Sequence, residues 1–141
     1  MNDALQSTLA FSGVVLFLLG LLGGAVIPFL RSPRIGLSAH VTALQAGVAL
    51  VVFALLGTRL VLPAAWAAPI AHTLWISFYV LWLGLLLGGV WGTGRTLPLA
   101  GAGLAAAPWQ ERSAQLLIAG GSIGCTAAVL ALLILWSWRP A

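Results

Sequence analysis

Residues 60–94 read LVLPAAWAAPIAHTLWISFYVLWLGLLLGGVWGTG, a run without Asp, Glu, Lys or Arg. A helix needs roughly 20 apolar residues to cross the hydrocarbon core of a bilayer, and this run supplies them. Three further charge-free runs flank it, at residues 4–30, 35–58 and 113–138. The pattern predicts an all-α integral membrane protein: one four-transmembrane-helix bundle with antiparallel up-down topology over residues 1–141. The spans are expected at about 8–30, 39–57, 70–92 and 114–136. Breakers separate them: Arg31-Ser32-Pro33-Arg34, then Pro63 to Pro69, then Thr93 to Arg112 with Pro98 and Pro108. The first run is too long for a cleaved signal peptide, and Asp3 stands where such a peptide carries Lys or Arg.

Composition narrows the class further. Charged residues make up 6% of the chain and hydrophobic ones 62%, against roughly 25% and about 45–50% in soluble domains. Such a chain cannot clothe a soluble surface, and it has no basic patch with which to bind nucleic acid. The net charge of +4 reflects missing acids rather than abundant bases. A single Cys leaves no disulfide framework and no CxxC metal site.

Arg31, Arg34, Arg95 and Arg112 fall on one side of the four spans, Arg59 and Arg139 on the other. The positive-inside rule then puts the 1–2 and 3–4 loops in the cytoplasm and both termini outside, as expected in a bacterial inner membrane. Trp66, Trp136 and Trp138 sit near one interface, Trp91 and Trp109 near the other. Small residues recur at helical spacing: Gly13, Gly20 and Gly24 in the first span, Gly84 and Gly88 in the third, Gly120 and Gly124 in the fourth. Lipid supplies no hydrophobic push between helices, so such stripes predict close backbone packing.

Few residues inside the spans can do chemistry. No acid lies there, which removes the carboxylate of a proton-coupled exporter and any paired-carboxylate catalysis. His40 opens the second span and reads either as a headgroup-wetted interfacial residue or as a metal or haem ligand. His72 opens the third span on the opposite side. At 1.5 Å per residue, the two are expected roughly 20–25 Å apart along the bundle, too far to clamp one haem. Any iron on His40 alone keeps an open axial position, which suits chemistry better than electron transfer. His72, Trp75, Tyr79 and Trp82 share one face of the third span. That face reads as packing, or as a pocket in which Tyr79 holds a substrate whose ring slots between Trp75 and Trp82. Gln45 is a costly amide in lipid and is expected to face protein or a cavity.

The segments Arg31-Ser-Pro-Arg-Ile-Gly-Leu-Ser-Ala-His40, Phe78-Tyr79-Val-Leu-Trp82, Pro98-Leu-Ala-Gly-Ala-Gly103 and Pro108-Trp-Gln-Glu111 resemble the hydroxylaminobenzene mutases. These are small four-span membrane enzymes related to styrene oxide isomerase, and the likeness covers essentially the whole chain. The resemblance implies a homotrimer with haem b near subunit interfaces and iron held by His40. It implies a redox-neutral rearrangement of a small aromatic substrate, aryl hydroxylamine to aminophenol or aryl epoxide to aldehyde, with ferric iron as Lewis acid. Tyr79 matches the tyrosine that holds the substrate oxygen. Arg31 and Arg34 are the nearest cations for the haem propionates. The family pattern carries Asn where this chain has Ala46 and Leu81, so the pocket lined by Trp75, Trp82 and Ala46 has lost two amides. Gln45 adjoins Ala46 and is the candidate substitute. A haem-binding protein of this fold without isomerase activity (a sensor, carrier or electron-transfer partner) is the alternative.

Overall fold

The computed structural model describes residues 2–57, 59, 62–101 and 103–137, so Trp138 and Arg139 lie outside the described residues. Four helices account for most of the chain: α1 (Asp3–Val26), α2 (Pro33–Leu56), α3 (Ala64–Trp91) and α4 (Pro108–Ser137). All four are long and apolar enough to cross a membrane. A 3₁₀ turn at Ile27–Phe29 ends α1. The helices start earlier than the hydropathy pattern places the spans, because local chemistry favours it. Asn2 caps α1 by accepting the Leu5 N–H, and Asp3 in the first turn meets the positive helix end. Pro33 and Pro108 open α2 and α4, where a missing N–H costs nothing.

The stretch from Pro63 to Pro69, expected as a connection, is instead the start of α3, with Pro69 inside the helix. Pro69 falls close to the N-terminal end, so its ring interrupts only the second turn. At the other end Gly92 takes φ +71°, and its N–H closes the helix onto the Gly88 carbonyl at 2.8 Å. A left-handed terminal residue of this kind favours glycine.

Glycine sets how the helices meet. A Cβ on Gly13 would lie 2.6 Å from the Gly47 carbonyl oxygen, and one on Gly20 3.0 Å from the Ala43 Cβ. Gly24 packs on His40. Contacts thus descend α2 as they ascend α1, and the two helices run in opposite directions. The same reversed order joins α3 to α4, through Gly84 on Ile118, Leu81 on Gly121 and Ser77 on Gly124. The fourth-span stripe therefore packs through Gly121 and Gly124, whereas none of the described residues lies within 4 Å of a Cβ on Gly120.

The four helices do not form a square. Among the described residues, the backbones of α1, α2 and α3 approach one another, but that of α4 approaches α3 alone. A core of Leu9, Leu16, Ala43, Ala46, Leu50, Leu74, Ala128 and Leu132 runs through the assembly. Phe11, Leu18, Leu22, Leu116, Ile123 and Leu133 point outward, as a lipid-facing surface requires.

Candidate functional site

The end of the structure near the α1–α2 and α3–α4 connections is tied by polar contacts. The Arg31 guanidinium donates to the carbonyls of Trp91 (3.2 Å) and Ala105 (3.1 Å). The Ser32 N–H donates to the Gly89 carbonyl and its hydroxyl to that of Ala100. Glu111 is buried in the first turn of α4. Its carboxylate accepts from the Thr96 N–H (2.9 Å), the Thr96 hydroxyl (2.7 Å) and the N–H groups of Arg95 and Ala106. Trp109 packs edge-on to Trp91 with centroids 5.2 Å apart. The segments quoted above around Arg31 and Glu111 thus build a clasp that closes one end of the protein. Arg34 lies beside it with its side chain exposed.

His40 projects from the second turn of α2 against α1. Its Nδ1 is 2.7 Å from the Gly20 carbonyl oxygen. A carbonyl only accepts, so Nδ1 carries the proton and Nε2 carries a lone pair. Metal-ligating histidines are oriented in just this way, with the second ring nitrogen donating to a backbone carbonyl. Gly24 makes the pose possible, since a Cβ there would sit 2.9 Å from Cε1 and Nδ1 of the ring. The donor set therefore fits a ligand to haem iron: a half-buried imidazole whose ring is held by the Gly20 carbonyl, with Nε2 left to bind.

On α3 the expected aromatic face is formed. Tyr79 meets Trp75 at 6.0 Å and Trp82 at 6.4 Å between centroids, both edge-to-face. The Tyr79 hydroxyl donates to the Ser12 carbonyl on α1 at 2.8 Å. The Trp75 indole N–H is buried with no hydrogen-bond partner among the described residues. Ala46 is buried in the core, and Leu81 packs on Gly121 of α4. Gln45 points outward from α2, over a groove of about 500 Å³ lined by Phe17, Leu44, Val48, Val52 and Phe53.

Two predicted partners are thus kept apart within one chain. Gly20 and Ser12, which anchor His40 and Tyr79, are eight residues apart on α1, or about 12 Å along its axis. His40 and His72 are further apart: His72 lies beside Asn2, Leu5 and Thr8 at the other end of α1. Among the described residues no cluster of three His, Cys, Asp or Glu side chains could hold a metal ion. The carbonyls of Gly20 and Ser12 and the clearance at Gly24 were not identified from sequence. Backbone groups leave no residue signature, and the glycine stripe of α1 was their only trace.

The family model described as styrene oxide isomerase matches residues 5–137. Hydroxylaminobenzene mutase HabA of Ectopseudomonas oleovorans is 38% identical over 109 residues, covering 77% of this chain and 81% of that protein. Hydroxylaminobenzene mutase HabB of the same organism is 35% identical over 135 residues, covering 92% and 78%. No solved structure matches the chain. With its four membrane-crossing helices, the chain belongs to the styrene oxide isomerase family and is an intramolecular isomerase.

Proposed function

We propose that this protein is a haem-b-dependent membrane isomerase acting on a small aromatic substrate, an aryl hydroxylamine or an aryl epoxide. The observation that carries the reading is the His40–Gly20 hydrogen bond, which leaves Nε2 as a bare donor on an oriented ring. His40 would hold the iron, and Arg34, exposed on α2 ahead of His40, would meet a propionate. Arg31 already serves two carbonyls. Haem held there would supply an electrophile for the substrate heteroatom; this chain has no acid in mid-span for that task.

The chain's own residues bind and orient. Trp75 and Trp82 offer ring edges and faces to an aromatic substrate. The Tyr79 hydroxyl, now donating to Ser12, can redirect its proton to a substrate oxygen at the cost of one hydrogen bond. Gln45 offers an amide next to Ala46, over the groove on the outer face of α2. Because His40 and Tyr79 are separated on one chain, the reading includes a homotrimer in which neighbouring copies bring the two groups together, with Gln45 and its groove at a contact between copies. The connections bearing Arg31, Arg34, Arg95 and Arg112 are assigned to the cytoplasmic side of a bacterial inner membrane.

The absorption spectrum of detergent-purified protein tests this. A Soret band, lost in His40→Ala, is expected together with conversion of hydroxylaminobenzene or styrene oxide. Haem content unchanged in His40→Ala removes the ligand assignment, and no Soret band in the wild type removes the haem reading. Haem with a low-spin bis-histidine spectrum and no turnover would favour the electron-transfer alternative.

A further inference from the structure

His72 has no part in the chemistry above, yet it lines a cavity. Between the N-terminal ends of α1 and α3 lies an open cleft of about 470 Å³, lined among the described residues by Asn2, Leu5, Thr8, Leu62, Ala68 and His72, with Asn2, Thr8 and His72 exposed at its mouth. That volume is in the range of small-molecule sites. It sits some fifteen residues from Gly20 along α1, or about 20 Å from the His40 site.

The polar groups of this space are committed in an uneven way. His72 Nδ1 is 2.8 Å from the Ala68 carbonyl, so Nδ1 donates and Nε2 keeps a lone pair. The Thr8 hydroxyl donates its proton to the Ala4 carbonyl at 2.8 Å, which leaves its oxygen as an acceptor. The Asn2 carbonyl oxygen takes the Leu5 N–H at 3.0 Å and leaves the amide NH₂ as the donor of the set. Leu5, Leu62 and Ala68 supply an apolar floor. Two acceptors and one amide donor on an apolar floor suit a molecule with an aromatic body and an O–H or N–H group. A phenolic oxygen can both give a proton to His72 or Thr8 and accept one from Asn2. An aryl hydrocarbon or epoxide has no proton to give.

The position gives the cavity a use. His72 shares a face of α3 with Trp75 and Tyr79, seven residues or about 10 Å away. We propose that this cavity is a second binding site, separate from the His40 site, for small aromatic molecules bearing hydroxyl or amino donors. It lies about two helical turns along α3 from Tyr79. Its natural occupant as an aminophenol product or hydroxylamine substrate rests on the function proposed above; its preference for aromatic donors does not.

The test uses the full chain in lipid nanodiscs and ¹⁹F NMR titration with 4-fluorophenol, with 4-fluorotoluene as the donor-free control. Saturable binding of the phenol is expected, with affinity about five- to tenfold above that of the toluene. His72→Leu and Thr8→Val should each reduce the phenol affinity by a similar factor and leave the toluene unchanged. The same titration in His40→Ala should match the wild type, so loss of haem or of turnover leaves the second site standing. Equal binding of the two compounds by the wild type would overturn the site, a result that needs no variant to fold. Phenol affinity unaltered in both His72→Leu and Thr8→Val would overturn it as well.

Discussion

His40 and Gly20 face one another across the α1–α2 contact, with the imidazole Nδ1 2.7 Å from the glycine carbonyl oxygen. Close approach and ligand orientation therefore come from one feature. The stripe Gly13, Gly20, Gly24 brings α1 against α2, and the same lack of side chains leaves room for the ring and exposes a carbonyl to hold it.

Gly24→Ala should disturb His40 without touching its chemistry. The new methyl would lie 2.9 Å from the ring, so the imidazole must turn away from the Gly20 carbonyl. Overpacking of this kind costs about 1–3 kcal/mol. Thermal unfolding should shift downward, and the haem-to-protein ratio of the purified variant should fall. An unchanged ratio would show that the ring pose does not matter for cofactor retention.

Tyr79→Phe separates structure from chemistry. It removes the hydrogen bond to Ser12, and interhelical hydrogen bonds in membranes average about 0.6 kcal/mol. The melting temperature should barely move. Turnover should drop by a factor on the order of 10² if the hydroxyl positions or protonates the substrate. Full activity in this variant would take Tyr79 out of the mechanism.

Adjacent glycines on α4 should respond in opposite ways. Gly121→Ala places a methyl 2.6 Å from the Leu81 backbone nitrogen and should destabilise the α3–α4 contact by about 1–3 kcal/mol. Gly120→Ala meets nothing within 4 Å and gains up to about 1 kcal/mol of helix propensity. Denaturation of the two variants side by side checks the pairing. A destabilised Gly120→Ala would place another copy or element against that face.

Glu111→Ala should open the clasp at the α3–α4 connection. The carboxylate accepts from three backbone N–H groups and the Thr96 hydroxyl, and hydrogen bonds to a charged acceptor are worth about 1.5–3 kcal/mol each. The connection around residues 93–107 should become sensitive to proteases while the helices persist. Protection equal to the wild type would mean that Arg31 and Ser32 alone hold it closed.

The helical class and the number of spans were legible because absence of charge over long runs has one physical outcome in a chain so short of polar residues. Helix ends were less so. Hydropathy marks where lipid begins, whereas Asn2, Pro33, Pro63 and Pro108 mark where hydrogen bonding begins, and these differ by several residues. The α3 aromatic face followed from spacing alone, since Trp75, Tyr79 and Trp82 lie on one side of any helix. The roles of Arg31 and Glu111 did not, because their partners are carbonyls and N–H groups of the α3–α4 connection.

By itself the sequence determined that this is a membrane protein of four apolar helices, and that the titratable groups inside the four runs free of Asp, Glu, Lys and Arg are His40, His72, Tyr79 and Cys125. Periodicity also determined which residues share a face, because helical geometry is local. Only the tertiary structure decided which neighbour each face meets. It put His40 on the Gly20 carbonyl, Tyr79 on the Ser12 carbonyl about 12 Å away, and His72 on a separate cavity at the far end. The physical reason is that a backbone carbonyl is the same at every residue, so its availability depends on how close two helices come and not on which letters they carry.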